Sequence, residues 1–427
     1  MSDARSTANS VSYADVQAAA GRLHGVALRS PLERNDRLSR LFGAEVWLKR
    51  EDLQPVRSYK LRGAYNLISS LSPTERANGV VCASAGNHAQ GVAFTCRRLD
   101  VACRVVLPRT TPRQKRAQIE SLGGPGLTIV MAGHTYDEAQ DVAAALAVEL
   151  DAALVPPFDD RRVIAGQGTV MLEVLDQLAV ARPGVAAGVV LVPAGGGGLL
   201  AGCAVVSASV SPSTRVIGVE PMGAASMRAA LDAGEPVALD SVDTFVDGAA
   251  VKRVGTLTFA LVRDLVADVV SVAEGAVCTT MLEMYQREGI IAEPAGALAV
   301  TALGANLGIE PGSCVVAIVS GGNNDVSRYG EILERSLVHE GLKHYFLVDF
   351  PQEPGALRGF LDNVLGANDD ITLFEYVKKN NREIGPALVG VELAAKSDLA
   401  PLVERMASSG LTIERIESGS PVFRFLV

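Results

Sequence analysis

Lys60 is the residue with the clearest potential for covalent chemistry. It stands at the predicted start of a helix, close to Ser58 and Tyr59. A lysine in such a position is ordinarily a solvated surface residue. Partial burial among small and aromatic neighbours would instead lower the pKa of its amine and make it a Schiff-base nucleophile.

A second polar group follows a predicted strand at residues 80–84. Ser84, Asn87 and His88 lie where that strand ends and the next predicted helix begins. Hydroxyl, amide and backbone N–H groups at a helix N-terminus form a good site for an anion such as a substrate carboxylate. The simpler interpretation is a helix N-cap, with a structural histidine that a nearby carbonyl satisfies.

A run of glycines follows the predicted strand at residues 188–193. Consecutive glycines leave backbone N–H groups free to point at a phosphate, and the dipole of the following helix assists. The run also matches a dinucleotide-binding pattern loosely, so it predicts a phosphate site without identifying the molecule that carries the phosphate. The residues of this predicted site are Gly195, Gly196, Gly197, Gly198 and Leu199.

Ser320 ends a predicted strand at residues 314–320 and is followed by Gly321, Gly322 and Asn323. A hydroxyl group in this position can pair with a ring nitrogen or cap the following turn. The residues alone leave both interpretations open.

Together and in this order, these motifs resemble those of the fold-type-II pyridoxal-phosphate enzymes, and among them the threonine dehydratases. The matching motifs are Lys-Arg-Glu-Asp-Leu-Gln at 49–54, Ser-Tyr-Lys-Leu-Arg-Gly-Ala at 58–64, Ser-Ala-Gly-Asn-His-Ala-Gln-Gly at 84–91 and Ala-Glu-Pro-Ala-Gly-Ala at 292–297. The resemblance covers nearly the whole chain. Arg57 and Tyr59 depart from it, since histidine and phenylalanine are expected there, but they flank Lys60 without replacing it.

The resemblance implies a role for each motif. Lys60 would bind pyridoxal 5'-phosphate covalently and act as general base, while Ser84 and its loop would receive the substrate carboxylate. Asn87 would hydrogen-bond the ring hydroxyl group of the cofactor, and Ser320 its pyridine nitrogen. The glycine run at 195–198 would bind the phosphate.

Two carboxylates complete the comparison with this family. Glu293 would lie near the cofactor ring. Glu220 resembles a cation ligand of related dehydratases and racemases, but Ser226 stands where a second carboxylate would be needed. We therefore predict no metal site.

The elements that must position these residues alternate up to about residue 335. Continuous β-branched runs predict parallel strands covered on both faces, separated by helices, in an α/β fold. The predicted strands are residues 80–84, 102–107, 127–131, 188–193, 215–220 and 314–320. The resemblance implies a catalytic domain at residues 1–335 with two parallel-sheet α/β subdomains, the smaller one, roughly residues 60–160, inserted in the larger.

After Gly341 the pattern becomes that of a small α+β sandwich in the order βαββαβ, with an extra strand. This part, residues 343–427, resembles the ACT-like regulatory domain of biosynthetic threonine dehydratases. Its turn at 350–357 resembles an effector-binding loop, although Pro354 and Gly355 can also simply shape the turn. The predicted strands are residues 345–350, 371–378, 387–393, 411–416 and 422–427, and the predicted helices are 354–365 and 399–408.

The composition is typical of a soluble enzyme of more than one domain. The net charge is -9 over 427 residues, which argues against a nucleic-acid or anionic-membrane partner. The uncharged stretch at residues 185–214 is long enough to cross a bilayer, but its glycines and Pro193 favour a buried strand, loop and helix. The six cysteines follow neither a disulfide nor a metal-binding pattern.

The resemblance implies an enzyme that converts L-threonine to 2-oxobutanoate and ammonia in isoleucine biosynthesis. We expect it to be a cytoplasmic homotetramer that isoleucine inhibits. Valine would oppose this inhibition. A catabolic serine/threonine dehydratase or a serine racemase would use the same site, and the appended domain argues against both. A nicotinamide dehydrogenase would explain the glycine run alone, and a non-catalytic amino-acid sensor would not need the intact set of site motifs.

Overall fold

The computed structural model describes residues 11–378, 381–417 and 420–426. The chain divides into two compact units. The first, called here the catalytic unit, contains the residues up to Glu274 together with Met284–Asn324. The second, the C-terminal unit, contains Gly275–Glu283 and Asp325–Val427. The predicted domain limits at residues 335 and 343 stay predictions.

The strands are, in chain order, β1 (Leu32–Arg34), β2 (Glu45–Arg50), β3 (Val80–Ala83), β4 (Cys103–Leu107), β5 (Leu127–Met131), β6 (Ala153–Leu154), β7 (Val189–Pro193), β8 (Arg215–Pro221), β9 (Asp268–Val272), β10 (Cys314–Val319), β11 (Lys343–Pro351), β12 (Asp370–Tyr376), β13 (Ile384–Glu392) and β14 (Thr412–Arg415).

The helices are α1 (Tyr13–Leu23), α2 (Asp36–Phe42), α3 (Lys60–Ser69), α4 (Pro73–Asn78), α5 (Asn87–Leu99), α6 (Arg113–Gly123), α7 (Tyr136–Glu149), α8 (Arg161–Ala181), α9 (Gly198–Val210), α10 (Ser226–Ala233), α11 (Thr256–Leu265), α12 (Glu274–Glu288), α13 (Pro294–Thr301), α14 (Tyr329–Glu340), α15 (Ala356–Asn363), α16 (Leu399–Ser408) and α17 (Phe423–Leu426).

The larger sheet of the catalytic unit has the order β1-β2-β10-β7-β8-β9. Only the edge strand β1 runs antiparallel to its neighbour. The central strands β7 and β10 are buried along their whole length, as their continuous apolar sequences predict. Since β2, β10 and β7 are parallel neighbours, the segments that follow their carboxyl ends meet at one edge of the sheet. Those segments carry Lys60, Ser320 and the glycine run.

The smaller sheet of the catalytic unit is parallel and has the order β5-β4-β3-β6. The segment from Ser84 to Asn87 follows the carboxyl end of β3. Two parallel sheets with intervening helices confirm the predicted α/β fold class. Four strands, β1, β2, β6 and β9, are not among the predicted ones; β1, β6 and β9 lie at sheet edges, and β2 lies inside the larger sheet.

The C-terminal unit contains one antiparallel sheet with the order β12-β13-β11-β14. Alternate residues of its strands, including Phe346, Val348 and Val389, form a core with Phe360 of α15 and Leu402 of α16. The order βαββαβ is therefore as predicted.

The extra strand predicted at residues 422–427 is wrong. Residues 423–426 form the short helix α17, and residue 427 lies outside the described residues. The Ser420 hydroxyl oxygen accepts a hydrogen bond from the Phe423 amide at 3.1 Å, which caps the turn. The ring of Phe423 also packs edge-on against Tyr345, at 6.3 Å between centroids. Alternating apolar residues over so short a segment do not distinguish a strand from one helical turn.

Of the described helices, α8 is long and apolar enough to cross a membrane, and 61% of its apolar window is buried inside the protein. Such burial is typical of a core helix. The uncharged stretch at residues 185–214 forms β7, a loop and α9, as predicted.

Candidate functional site

Lys60 is the first residue of α3, and its amine points at the segment that follows β6. Lys60 Nζ donates a hydrogen bond to the carbonyl oxygen of Pro157 at 2.9 Å. Burial lowers the pKa of this amine to about 8, against an opposing effect of Glu293. About a tenth of the amine is therefore neutral, and hence nucleophilic, at pH 7, far more than for a solvated lysine.

The residues before Lys60 are held against the loop after β10. The Tyr59 amide donates to the carbonyl oxygen of Ser320 at 3.2 Å, and the Gly322 amide donates to that of Arg57 at 2.9 Å. Arg57 has a left-handed backbone with φ of +54°. These hydrogen bonds connect residues 57–59, called here the lysine segment, to the loop after β10 that begins at Ser320.

Ser320 is buried, and its hydroxyl group donates to the carbonyl oxygen of Ala295 at 3.2 Å. Ala295 belongs to α13, which packs closely enough that a Cβ atom on Gly296 would overlap the carbonyl oxygen of Gly321. A serine hydroxyl can accept as well as donate, so Ser320 retains the capacity to bond a ring nitrogen.

Asn87 is the first residue of α5, and its side chain bonds to two side chains that are distant along the chain, those of Glu293 and Asn323. Its Nδ2 donates to Glu293 Oε1 at 2.6 Å, and its Oδ1 accepts from Asn323 Nδ2 at 2.7 Å. Glu293 is only 5% exposed. Its burial, assisted by repulsion from Asp247, raises the pKa of this carboxyl group to about 7. The structure thus brings Asn87 and Glu293 into direct contact, and their roles at the cofactor ring stay predictions.

The Ser84 loop is less clearly defined as a carboxylate site. Ser84 Oγ accepts a hydrogen bond from the Gly86 amide at 3.3 Å, within its own loop. His88 Nε2 lies 2.8 Å from the carbonyl oxygen of Val155, and burial lowers its pKa to about 3. The histidine therefore has the contacts of a structural residue, and the carboxylate role of Ser84 stays a prediction.

The glycine run forms a loop between β7 and α9. Gly197 is left-handed with φ of +89°, and the Thr258 hydroxyl group donates to the carbonyl oxygen of Gly196 at 2.7 Å. A Cβ atom on Gly196 would overlap the ring of Phe158. Leu199 has its side chain in the core, so only its backbone N–H can serve a ligand. Glycine N–H groups at the start of a helix fit a phosphate group.

Residues 157 and 158 were not predicted as site residues, yet they contact both Lys60 and the glycine run. The carbonyl of Pro157 accepts from Lys60, and the next side chain, that of Phe158, covers the glycine run. The pattern of the sequence offers no signal for this, because the segment lies about 100 residues from Lys60 and contains no motif of its own.

A buried network of ion pairs connects α3 to neighbouring elements of the catalytic unit. The Arg62 guanidinium donates to Glu51 at 2.8 Å and to Glu173 of α8 at 2.7 Å. Lys49 Nζ also donates to Glu173, at 2.6 Å. Arg62 is 1% exposed and Glu51 is 0% exposed. The network connects the end of β2 to the helix that begins with Lys60.

Glu220 caps a helix. Its two carboxylate oxygens accept from the amides of Met227 and Arg228 at 2.7 and 2.9 Å, and its burial raises the pKa to about 7. Among the described residues, no cluster of three or more His, Cys, Asp or Glu side chains is placed to hold a metal ion.

Residues 25–321 match the family described as pyridoxal-phosphate dependent enzyme. The chain belongs to this family. Residues 334–426 match the C-terminal regulatory domain of threonine dehydratase. These two matches confirm the fold-type-II pyridoxal-phosphate fold and the cofactor that the resemblance implies.

Relatives of this pyridoxal-phosphate enzyme are threonine dehydratases, as the motifs predicted. The chain is 59% identical over 421 residues to the biosynthetic L-threonine dehydratase of Mycobacterium tuberculosis, and the match covers 98% of this chain and 96% of that one. The structure of threonine deaminase isoform 2 from Solanum lycopersicum aligns with a TM-score of 0.70 and 39% identity, over 77% of this chain and 95% of that one. Maize serine racemase aligns with a TM-score of 0.70 and 30% identity, over 77% and 99%. These findings confirm the predicted resemblance to the biosynthetic threonine dehydratases.

The residues of this pyridoxal-phosphate enzyme fit the cofactor. The amine of Lys60 in its neutral form suits an aldehyde, the backbone N–H groups of the glycine loop suit a phosphate, and the polar atoms of Asn87 and Ser320 suit the ring substituents. All of them lie in the catalytic unit, connected through the loop after β10 and through residues 157–158.

Replacing Gly196 by alanine is expected to weaken binding of pyridoxal phosphate by about tenfold or more. The added methyl group must displace the Phe158 ring or the loop, and either change disturbs the phosphate-binding N–H groups. The dissociation constant is measured by fluorescence titration of the cofactor-free protein. Gly304→Ala is the control, because a Cβ atom there meets nothing within 4 Å. Equal affinities for the two variants would contradict the assignment of the phosphate site.

Proposed function

We propose that this chain converts L-threonine to 2-oxobutanoate and ammonia as an enzyme of isoleucine biosynthesis, under feedback control by isoleucine. The observation that supports the reaction best is that the loop after β10, which begins at Ser320, bonds both the backbone just before Lys60 and the side chain of Asn87. The match of residues 334–426 to a threonine dehydratase regulatory domain supports the control.

Pyridoxal phosphate, when bound, accepts the electron pair left on Cα of an amino acid after proton loss. The protein's part is to place a base, an anion site and a dry environment around that carbon. Lys60 Nζ is the base that takes the Cα proton, and its lowered pKa allows it to accept a proton near neutral pH. The loop that begins at Ser84 holds the substrate carboxylate through N–H and hydroxyl groups at the start of α5.

The buried carboxyl group of Glu293 lies beside Asn87 and can exist in its neutral form near neutral pH. A neutral carboxyl group adds no negative charge next to the cofactor ring. The Ser320 hydroxyl group likewise places no formal charge at the pyridine nitrogen, whereas an aspartate there would favour a protonated ring. Both features would leave the ring of a bound cofactor with little charge from the protein, which favours loss of the β-hydroxyl group from the substrate.

The decisive experiment is release of 2-oxobutanoate from L-threonine by the purified protein, repeated across an isoleucine titration. Turnover that isoleucine suppresses and valine restores is the expected result. Turnover indifferent to isoleucine would favour a catabolic serine/threonine dehydratase. Formation of D-serine from L-serine without 2-oxobutanoate would favour a racemase.

The proposed effector site is the turn between β11 and α15. Gln352 Nε2 donates to the carbonyl oxygens of Arg382 and Ile384, at 2.7 and 3.1 Å, which fixes the start of the turn. Gly355 has φ of +98°, so the helix begins directly after a left-handed residue. Leu357 and Leu361 of α15 are both exposed and offer apolar contact for an aliphatic effector.

Gly355→Ala is expected to raise the isoleucine concentration for half-inhibition several-fold, with little change in turnover without effector. A left-handed backbone disfavours any residue with a Cβ atom by about 1–2 kcal/mol, so the turn shifts. Gly410→Ala is the matched control, since Gly410 also has positive φ, at +74°, and lies in the same unit with nothing within 4 Å of its Cβ position. An identical isoleucine response in both variants would place the effector elsewhere.

We further propose that the enzyme is a cytoplasmic homotetramer, on the strength of the family resemblance. Sedimentation equilibrium of the purified protein tests the tetramer directly.

A further inference from the structure

Asn323 lies where three segments of the catalytic site meet. It follows Ser320, Gly321 and Gly322 in the loop after β10. Its Nδ2 donates to the carbonyl oxygen of Val56 at 2.8 Å, just before the lysine segment. The same Nδ2 donates to Asn87 Oδ1 at 2.7 Å, at the start of α5.

These contacts determine which way each amide points. The carbonyl oxygen of Val56 can only accept, so Asn323 must turn its NH2 group towards it. Asn87 must then offer its oxygen to that NH2 group, because two NH2 groups face to face would repel. The remaining Nδ2 of Asn87 is left to donate to Glu293. A single backbone carbonyl therefore sets the direction of the whole chain of hydrogen bonds.

We propose that Asn323 is a positioning residue that orients the Asn87 amide so that its NH2 group, which gives one N–H to Glu293, turns its second N–H, and not its oxygen, towards the ring hydroxyl oxygen of the cofactor. This inference rests on the proposed role of Asn87. An oxygen that carries negative charge is stabilised by a donor and destabilised by a carbonyl oxygen. The orientation of Asn87 thus matters for cofactor binding as much as its presence.

The test compares two substitutions that differ in polarity. Asn323→Ala removes the donor, and we expect about tenfold weaker binding of pyridoxal phosphate, which corresponds to about 1.4 kcal/mol. Asn323→Asp replaces the donor by a carboxylate facing two carbonyl oxygens, and we expect still weaker binding at pH 8. Lowering the pH protonates this carboxyl group and returns one donor, so affinity relative to wild type should recover in Asn323→Asp and not in Asn323→Ala.

The readouts are the dissociation constant of pyridoxal phosphate and the visible absorption band of the bound cofactor, each followed against pH. Asn324→Ala is the control, because Asn324 Nδ2 donates to the carbonyl oxygen of Ala292 at 3.1 Å in the same loop. An affinity loss of equal size in Asn324→Ala, or Asn323→Asp without pH-dependent recovery, would reduce Asn323 to a structural residue and overturn the inference. Wild-type affinity in Asn323→Ala would overturn it as well, while leaving the proposed function intact. A wild-type protein that does not bind pyridoxal phosphate would overturn the proposed function and this inference with it.

Discussion

Replacing Lys60 by alanine is expected to abolish covalent binding of pyridoxal phosphate and to lower threonine turnover by at least about 10²–10⁴-fold. The lower bound follows from the loss of a general base, and the loss of the covalent attachment adds to it. The measurements are the visible absorption of the purified protein and, after borohydride reduction, the mass of the labelled peptide. In wild type that peptide should contain Lys60.

Lys252→Ala is the matched control, since this lysine is exposed on a loop of the same unit. It should keep both the absorption band and the turnover. A borohydride-labelled peptide in Lys60→Ala would show that another lysine, such as the buried Lys49, holds the cofactor.

The pKa of Lys60 should also determine how the rate of pyridoxal phosphate uptake depends on pH. Burial lowers the pKa of Lys60 to about 8 from an ordinary value of 10.5. Only the neutral amine attacks an aldehyde, so the amine is progressively inactivated by protonation as the pH falls below about 8. The rate at which cofactor-free wild type takes up pyridoxal phosphate should therefore rise with pH and level off above about 8. A rise that continues towards pH 10.5 would indicate a solvated amine.

Replacing Arg62 by alanine is expected to destabilise the catalytic unit by about 3–5 kcal/mol, because it leaves Glu51 buried without its cation. Trp47, the single tryptophan of the chain, lies in β2 and reports on this unit. The midpoint of urea unfolding is followed by its fluorescence. Arg62→Lys should also lose stability, since an ammonium group cannot make the paired bonds of the guanidinium.

Arg228→Ala is the control for loss of an arginine ion pair at the surface. Arg228 lies 2.5 Å from Asp232, and both side chains are exposed. Such pairs contribute about 0–1 kcal/mol. A loss in Arg62→Ala no larger than that in Arg228→Ala would show that water or rearrangement satisfies Glu51.

The cost of losing Arg62 should depend on pH. Burial alone would raise the pKa of Glu51, but Arg62 outweighs it and holds this pKa below the ordinary 4.5. In wild type the stabilisation is present at neutral pH and is lost as the pH falls through that lowered value. In Arg62→Ala the effects of Lys49 and Ser30 remain, but the larger opposing effect of Arg62 is lost, so Glu51 accepts a proton at higher pH. The difference between wild type and variant should therefore be largest at neutral pH and decrease in acid.

The chemistry of this protein was predicted from the resemblance of its combined motifs to a known family. Lys60, the Ser84–Asn87 loop, the glycine run and Ser320 each combine a functional group with the end of a strand, and this combination is written in a few adjacent residues. The strands between them are long apolar runs, so their type and approximate bounds also follow from the sequence. The edge strands β1 and β6 escaped prediction because two or three residues carry no periodicity. The helix at residues 423–426 was predicted as a strand for the same reason.

The sequence by itself indicated the family and the cofactor, through the resemblance of its combined motifs, and the type of most buried strands and helices, because those depend on residue type and local pattern. Only the tertiary structure decided how the motifs meet. The pairing of β10 with both β2 and β7 places three segments, from distant parts of the chain, at one sheet edge. The carbonyl of Val56 sets the direction of Asn323 and Asn87, and burial determines the pKa values of Lys60 and Glu293. Hydrogen-bond direction and desolvation depend on neighbours in space, and neighbours distant along the chain leave no mark on the local sequence.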